Sequence, residues 1–406
     1  VVGAASKFTI STGVFTNMTL THQIPIVSPM TKIVAYVVMD YDGSIYYAWY
    51  DTSGGKYITK LNSSLSPVWT TGDVSAHFIS GAETDPGLML SDQYVYWTML
   101  GGGDNYTYAF SKASGAYSNS PSTSTHYGGY VMNDDEKFYG AHGWQSTFKR
   151  TDKENGTNQL IWDSANSYNW SSGGMSRYED YFYGQRYNSA SLAGVYRADA
   201  HGSGFSGPPT LITSQTFRMC NQDSDGNLYG YDGSNVASYG PGGGSRWSTA
   251  YGNTFVYASW GSLSAVNTKE GVFCHMTKNS TELFLNFRNS STGALIRQKK
   301  VIPDSDLGYS SMSVYSQEGF VLANNLDVFF VNAGQDFGYG SERRAYFYDY
   351  SSDALTWGIK ETGYHYNQKT YGIGNRYGIC SGYGRVVWGH PGPAGANNYD
   401  GLWVLE

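Results

Sequence analysis

The sequence predicts an all-β protein assembled from repeated antiparallel sheets, eight of four strands each, and three observations carry that prediction. The 406 residues include 51 Gly and 37 Tyr, while charged residues make up only 15% of the chain. Strands favour aromatic side chains and tight turns favour Gly, whereas solvated helices need more charge than this. One pattern, an acidic or Gly turn followed by a short apolar and aromatic strand, recurs along the whole length. A second alternating strand follows most of those turns, so each recurrence is a hairpin that continues into a meander.

The copies read Asp42-Gly-Ser-Ile-Tyr46, Asp92-Gln-Tyr-Val-Tyr96, Asp135-Glu-Lys-Phe-Tyr139, Glu179-Asp-Tyr-Phe-Tyr183, Asp225-Gly-Asn-Leu-Tyr229 and Lys269-Glu-Gly-Val-Phe273. Two looser copies follow, Leu326-Asp-Val-Phe-Phe330 and Gly384-Arg-Val-Val-Trp388. Their closing aromatics lie 43 to 58 residues apart, close to the roughly 40–50 residue period of propeller blades. One four-stranded sheet cannot cover both its faces, so the units must stack radially, which leaves only short protected edges. The expected architecture is therefore an eight-bladed β-propeller, or a seven-bladed one if a loose copy is an insertion.

Downstream strands are Lys56-Tyr-Ile-Thr-Lys-Leu61, Tyr106-Thr-Tyr-Ala-Phe110, Ser146-Thr-Phe-Lys-Arg150, Gly194-Val-Tyr-Arg197 and Arg344-Ala-Tyr-Phe-Tyr348. Several run into a polar hairpin and then a Trp (Trp69, Trp162, Trp357) that begins the next strand. Gly, Asn and Asp in those hairpins supply the positive φ that short turns need. After Trp388 only Gly401-Leu-Trp-Val-Leu405 remains, so the segment Lys7-Phe-Thr-Ile-Ser11 is expected to complete the last sheet and close the ring. The Gly/Pro-rich stretches at Gly240–Ser245 and His390–Gly395 are too short for linkers, which predicts a single domain over 1–406.

The stretch from Asp42-Gly-Ser-Ile-Tyr-Tyr-Ala-Trp through Lys56-Tyr-Ile-Thr-Lys-Leu to Trp69 resembles the short β-propeller repeat of bacterial extracellular and phage proteins. The likeness is fainter around Asp135 to Trp162 and Asp225 to Tyr229. It implies a scaffold for display or binding and brings no catalytic residues to transfer.

A formal net charge of −7 argues against nucleic acid as a partner, because phosphate neutralisation needs clustered Lys and Arg. No stretch reaches the roughly 18 apolar residues of a membrane span. Cys220, Cys274 and Cys380 are odd in number and lack zinc-type spacing, which reads as inert thiols rather than a disulfide framework.

The best metal pattern is Asn221, Asp223 and Asp225 ahead of Gly226. Alternating oxygen ligands before a Gly suit the first half of a calcium loop, and ordinary turn chemistry accounts for the same residues. Calcium is the one ion this pattern suits, and no other cofactor set can be named. Adjacent acids such as Glu83 with Asp85, Asp134 with Asp135 and Glu179 with Asp180 sit in turns, where carboxylates are mostly solvated. No Gly-x-Ser-x-Gly elbow anchors a hydrolase triad, and Gly101-Gly-Gly-Asp-Asn105 reads as a hairpin rather than a phosphate loop.

The remaining signal is the aromatic excess, 16% of residues. Tyr and Trp beside Asn, Asp and Gly suit sugar-binding grooves and protein interfaces, and Tyr also fills the space between stacked sheets. Tyr46, Tyr47, Trp49 and Tyr50, and Tyr106 with Tyr108, are the expected exposed binding clusters. The leading functional reading is a non-enzymatic structural and adhesion module of a virion, as a phage tail or surface component, or of an extracellular assembly. Its partners would be other subunits of that assembly, with surface glycans as ligands. The alternative is a secreted carbohydrate-active propeller enzyme, a glycoside hydrolase or lyase, with acids contributed by loops of different blades.

Overall fold

A computed structural model of the chain describes residues 20–25, 30–33, 37–78, 84–101, 104–119, 130–132, 137–141, 147–152, 158–163, 170–186, 193–199, 210–252, 254–255, 257–258, 261–262, 264–279, 282–301, 320–333, 342–362, 379–382, 385–390 and 401–405. Among them the only helical piece is the 3-10 turn Ser75–His77. The strand pairings described are antiparallel and between neighbours in sequence, apart from Leu20–Pro25 with Gly401–Leu405, Met30–Ile33 with Ile45–Asp51 and Thr254–Phe255 with Val272–Lys278. The fold is an all-β propeller of repeated blades.

The chain forms two compact units, one of Val1–Pro121, Ser313–Val321 and Asp327–Glu406, the other of Ser122–Met312 and Leu322–Leu326. The first carries the sheets of residues 30–70, 84–119 and 320–362, and a sheet in which Leu20–Pro25 pairs with Gly401–Leu405 beside Arg385–His390 and Ile379–Gly382. The second carries the sheets of residues 130–163, 170–211, 217–250 and 254–301.

The closing aromatic of each of the eight copies lies on an inner strand of a sheet. Ile45–Asp51, Tyr94–Gly101, Leu228–Asp232 and Val272–Lys278 are four of those strands. Lys56–Leu61 and Asp104–Ser111 form third strands, and Trp69 falls in the fourth strand Pro67–Thr70. The periodic pattern thus marks the centre of each sheet.

Two expectations need correction. Six sheets among the described residues have four strands, not eight and not seven, and two have five. In both five-stranded sheets the first strand is broken in two. Met30–Ile33 and Val38–Met39 share the partner Ile45–Asp51, and Thr254–Phe255 and Ser264–Asn267 share Val272–Lys278. A small hairpin, Tyr257–Ala258 with Gly261–Ser262, interrupts the second case. The N-terminal strand of the last sheet is Leu20–Pro25; Lys7–Ser11 lies outside the described residues.

Packing explains why strand Ile45–Asp51 is a near-continuous apolar run instead of an alternating one. Tyr46, Ala48 and Tyr50 pack with Val95, Trp97, Tyr108 and Phe110 of the sheet of residues 84–119. Ile45, Tyr47 and Trp49 pack with Val387, Leu402 and Val404 of the last sheet. Successive side chains point to opposite faces, so a strand covered on both must be apolar throughout. Burying each such side chain is worth about 1.5–3 kcal/mol. The second unit repeats the arrangement, with Tyr183, Val195, Phe217, Leu228 and Ala237 in one cluster and Tyr229, Val236, Trp247 and Phe273 in another.

A recurring contact ties one sheet to the next. Trp69 Nε1 donates to the Lys112 carbonyl at 3.1 Å, and its ring lies against Gly115. Trp247 Nε1 donates to the Ser290 carbonyl at 2.8 Å, and its ring lies against Gly293. Both glycines have positive φ, +72° and +74°, in the hairpin before the outermost strand of their sheet. Cys274 is a buried thiol whose pKa burial pushes up, and Cys220 is a half-buried thiol whose Sγ donates to the Arg218 carbonyl at 3.8 Å.

Candidate functional site

The acidic turns are built by their own carboxylates. Asp223 Oδ1 accepts from the Asp225 and Asn227 amides at 2.9 and 2.8 Å. Its Oδ2 accepts from the Asn227 side-chain amide at 3.0 Å and the Tyr229 hydroxyl at 2.7 Å. Asp51 and Asp349 do the same work in other hairpins, accepting the amides of Ser53 and Gly55 and those of Ser351 and Ser352. Such bonds explain why Asp precedes the Gly or Ser of each turn.

At the calcium pattern, Asn221 Nδ2 donates to Ser264 Oγ, Asp223 anchors the turn on both oxygens and Asp225 is exposed. The structure does not bring the three onto one centre through any bond it records. Among the described residues no group of three His, Cys, Asp or Glu side chains is arranged to hold a metal ion.

The expectation of exposed aromatic clusters is corrected. Tyr46 is fully buried, Tyr47, Trp49 and Tyr50 are buried, and Tyr108 is 1% exposed; the Tyr106 side chain lies outside the described residues. These rings fill the space between sheets because both faces of their strands are covered. Of the acid pairs, Glu179 and Asp180 sit exposed in a turn, while the side chains of Glu83, Asp85, Asp134 and Asp135 lie outside the described residues. Gly101 pairs with Asp104 across the expected hairpin.

Exposed aromatic surface occurs elsewhere, at the turn tips. Tyr41 is 95% exposed between Asp40 and Asp42, and Tyr181 is 37% exposed directly after Glu179 and Asp180. Tyr181 opens the strand Tyr181–Arg186, opposite Tyr178. The Arg197 guanidinium lies over its ring at 4.3 Å from the centroid. Register explains the meeting: Arg197 pairs with Tyr183, so it shares a sheet face with Tyr183 and, two residues back, Tyr181.

The Arg197 Nη1 donates to the Pro241 carbonyl at 3.3 Å, and the Tyr183 hydroxyl donates to the same oxygen at 3.1 Å. Tyr178 donates its hydroxyl to Glu179, a bond that raises its pKa together with burial and the nearby charge of Asp225. The Tyr178 ring lies against Gly226, where φ is +79° and a Cβ would overlap the ring. This constellation joins the sheets of residues 170–211 and 217–250 and sets one solvent-facing ring beneath an arginine, directly after two exposed carboxylates in sequence. Sequence reasoning missed Tyr181 and Arg197, although Tyr181 follows the acidic turn of a repeat copy. What marks it is register, and register across strands is not written in one strand.

No protein-family model matches the chain, and no curated protein matches it. Solved structures match with low identity. The WD40 domain of SCAP from fission yeast has a TM-score of 0.50 at 10% identity, covering 95% of this chain and 97% of that one. The Dos1 propeller has a TM-score of 0.50 at 10% identity, covering 97% of each. A puromycin-hydrolyzing peptidase of Mycobacterium tuberculosis has a TM-score of 0.50 at 11% identity, covering 91% of this chain and 61% of that one. These likenesses concern the fold alone.

Proposed function

We propose that the chain is a non-enzymatic structural and adhesion β-propeller of a virion, as a phage tail or surface component, or of an extracellular assembly. The observation that supports it most is the employment of its carboxylates. Asp51 and Asp223 on both oxygens, and Asp349 on Oδ1, accept from backbone amides and hydroxyls of their own hairpins, which makes a rigid scaffold and commits those acids to structure. Indole rings docked on the following sheet add to that rigidity.

In this reading 1–406 is a single β-propeller domain. Its partners are other subunits of the assembly, and surface glycans are its ligands. Among the described residues no helix is long and apolar enough to cross a membrane.

Isolation from the native source, followed by sedimentation and negative-stain microscopy, tests the reading. Recovery inside a filament or particle is the expected outcome. A free monomer that cleaves a polysaccharide would overturn it in favour of the carbohydrate-active enzyme. Calcium is tested separately. With both Asp223 oxygens occupied by donors, the expected Tm is the same in chelator and in millimolar calcium, and a calcium-dependent rise would assign an ion to that turn.

A further inference from the structure

We infer that Tyr181, stacked on Arg197 and flanked by Glu179 and Asp180, is a subsite for one sugar ring of a glycan. The inference deepens the adhesion reading above and rests on its glycan component.

Recognition of a pyranose needs a flat apolar platform for the C–H face and planar polar groups for the hydroxyls around its edge. Tyr181 supplies the platform, being 37% exposed in a chain where most described aromatic rings are buried. It is held ready for use. The guanidinium at 4.3 Å supports one side of the ring, and Arg197 is itself fixed by the Pro241 carbonyl that also receives the Tyr183 hydroxyl. A stacked cation of this kind withdraws the ring from free rotation before any ligand arrives.

The edge groups are present as well. Glu179 and Asp180 precede the ring in the same turn, where Glu179 holds φ at +49° and so bends the backbone sharply. Tyr178 donates to Glu179 and orients its carboxylate. The exposed carboxylates of Glu179 and Asp180 in this turn can accept from a sugar's hydroxyls. Tyr41 is the internal contrast. It is more exposed and also flanked by acids, but among the described residues no guanidinium lies over its ring.

The test is saturation-transfer-difference NMR on the full chain with a panel of glucose, galactose, mannose, N-acetylglucosamine and their oligomers at millimolar concentration. The expected result is transfer to the ring protons of at least one sugar. Affinity should fall about tenfold in Tyr181→Ala and stay near wild type in Tyr181→Phe and in Tyr41→Ala. Near-UV circular dichroism checks that Tyr181→Ala is folded, and Arg197→Met, which keeps the packed stem, should weaken the same sugar. Binding of none of the panel overturns the inference, as does binding that survives both Tyr181→Ala and Arg197→Met. Particle recovery is measured independently, so loss of the sugar site and loss of the assembly reading are separate outcomes.

Discussion

Trp247 reads the turn that contains Gly293. Its indole Nε1 bonds the Ser290 carbonyl at 2.8 Å, and a Cβ built on Gly293 would sit 2.5 Å from the ring. Arg246 reinforces the joint by donating to the same carbonyl at 3.3 Å and to the Tyr229 hydroxyl at 3.0 Å. In the first unit Trp69, Lys60 and Gly115 occupy the matching places around the Lys112 carbonyl. The sheet-to-sheet joint is therefore one device used twice.

Substituting the glycine attacks that device directly. Gly293→Ala and Gly115→Ala combine a positive φ with overlap on a packed indole, buried Trp247 and half-buried Trp69, and each is expected to cost about 2–4 kcal/mol in urea unfolding. Gly233→Ala has φ of +60° but nothing within 4 Å, so only the backbone term of about 1 kcal/mol remains. Equal losses at all three sites would show that the ring contact is unimportant.

The two equivalent tyrosines should respond oppositely to loss of the hydroxyl. Tyr229 donates to Asp223 and accepts from Arg246, so Tyr229→Phe is expected to destabilise by about 1–2 kcal/mol. The Tyr46 hydroxyl is buried and finds no hydrogen-bond partner among the described residues, so Tyr46→Phe removes an unsatisfied group and should be neutral or stabilising. Denaturation midpoints at constant m-value check both.

Acid should loosen the sheet of residues 254–301 through His275. Burial, with the adjacent Arg288 guanidinium, pulls its pKa from 6.5 down to about 3. Arg288 Nε donates to His275 Nε2 at 3.1 Å while Nη1 bonds the Gly293 carbonyl at 2.9 Å, so the neutral ring helps hold the docking turn. The unfolded chain takes up a proton below about pH 6.5 and the folded chain does not. Stability from this group is complete above that pH and falls progressively toward pH 3. Between pH 7 and pH 4 the loss is about 3 kcal/mol, and His275→Gln should lose that much less than wild type over the same interval. Parallel pH profiles would exclude the histidine as the cause.

Asp223 should matter for stability whatever it does for ions. Asp223→Ala leaves the Asp225 and Asn227 amides and the buried end of Tyr229 without their acceptor, an expected cost of about 2–3 kcal/mol. Asp223→Asn keeps the acceptor for the amides and should recover about half.

What the sequence determined by itself was the class of fold and the position of turns such as those at Asp42-Gly43 and Asp225-Gly226. Asp and Gly at Asp42-Gly43 and Asp225-Gly226 encode turns through bonds made within a few residues, and alternation in Lys56–Leu61 encodes a strand through its own period. Such signals are local, so they survive without a structure. Only the tertiary structure decided which aromatic rings meet solvent. Tyr46 to Tyr50 look like a display surface in one dimension, yet two neighbouring sheets cover both faces of that strand. Tyr181 looks like one more repeat aromatic, yet register brings Arg197 over it and leaves it exposed. The broken first strands of two sheets were equally invisible, because pairing to a shared partner depends on a strand elsewhere in the chain. Burial and cross-strand register are properties of pairs of distant segments, and no run of residues carries them alone.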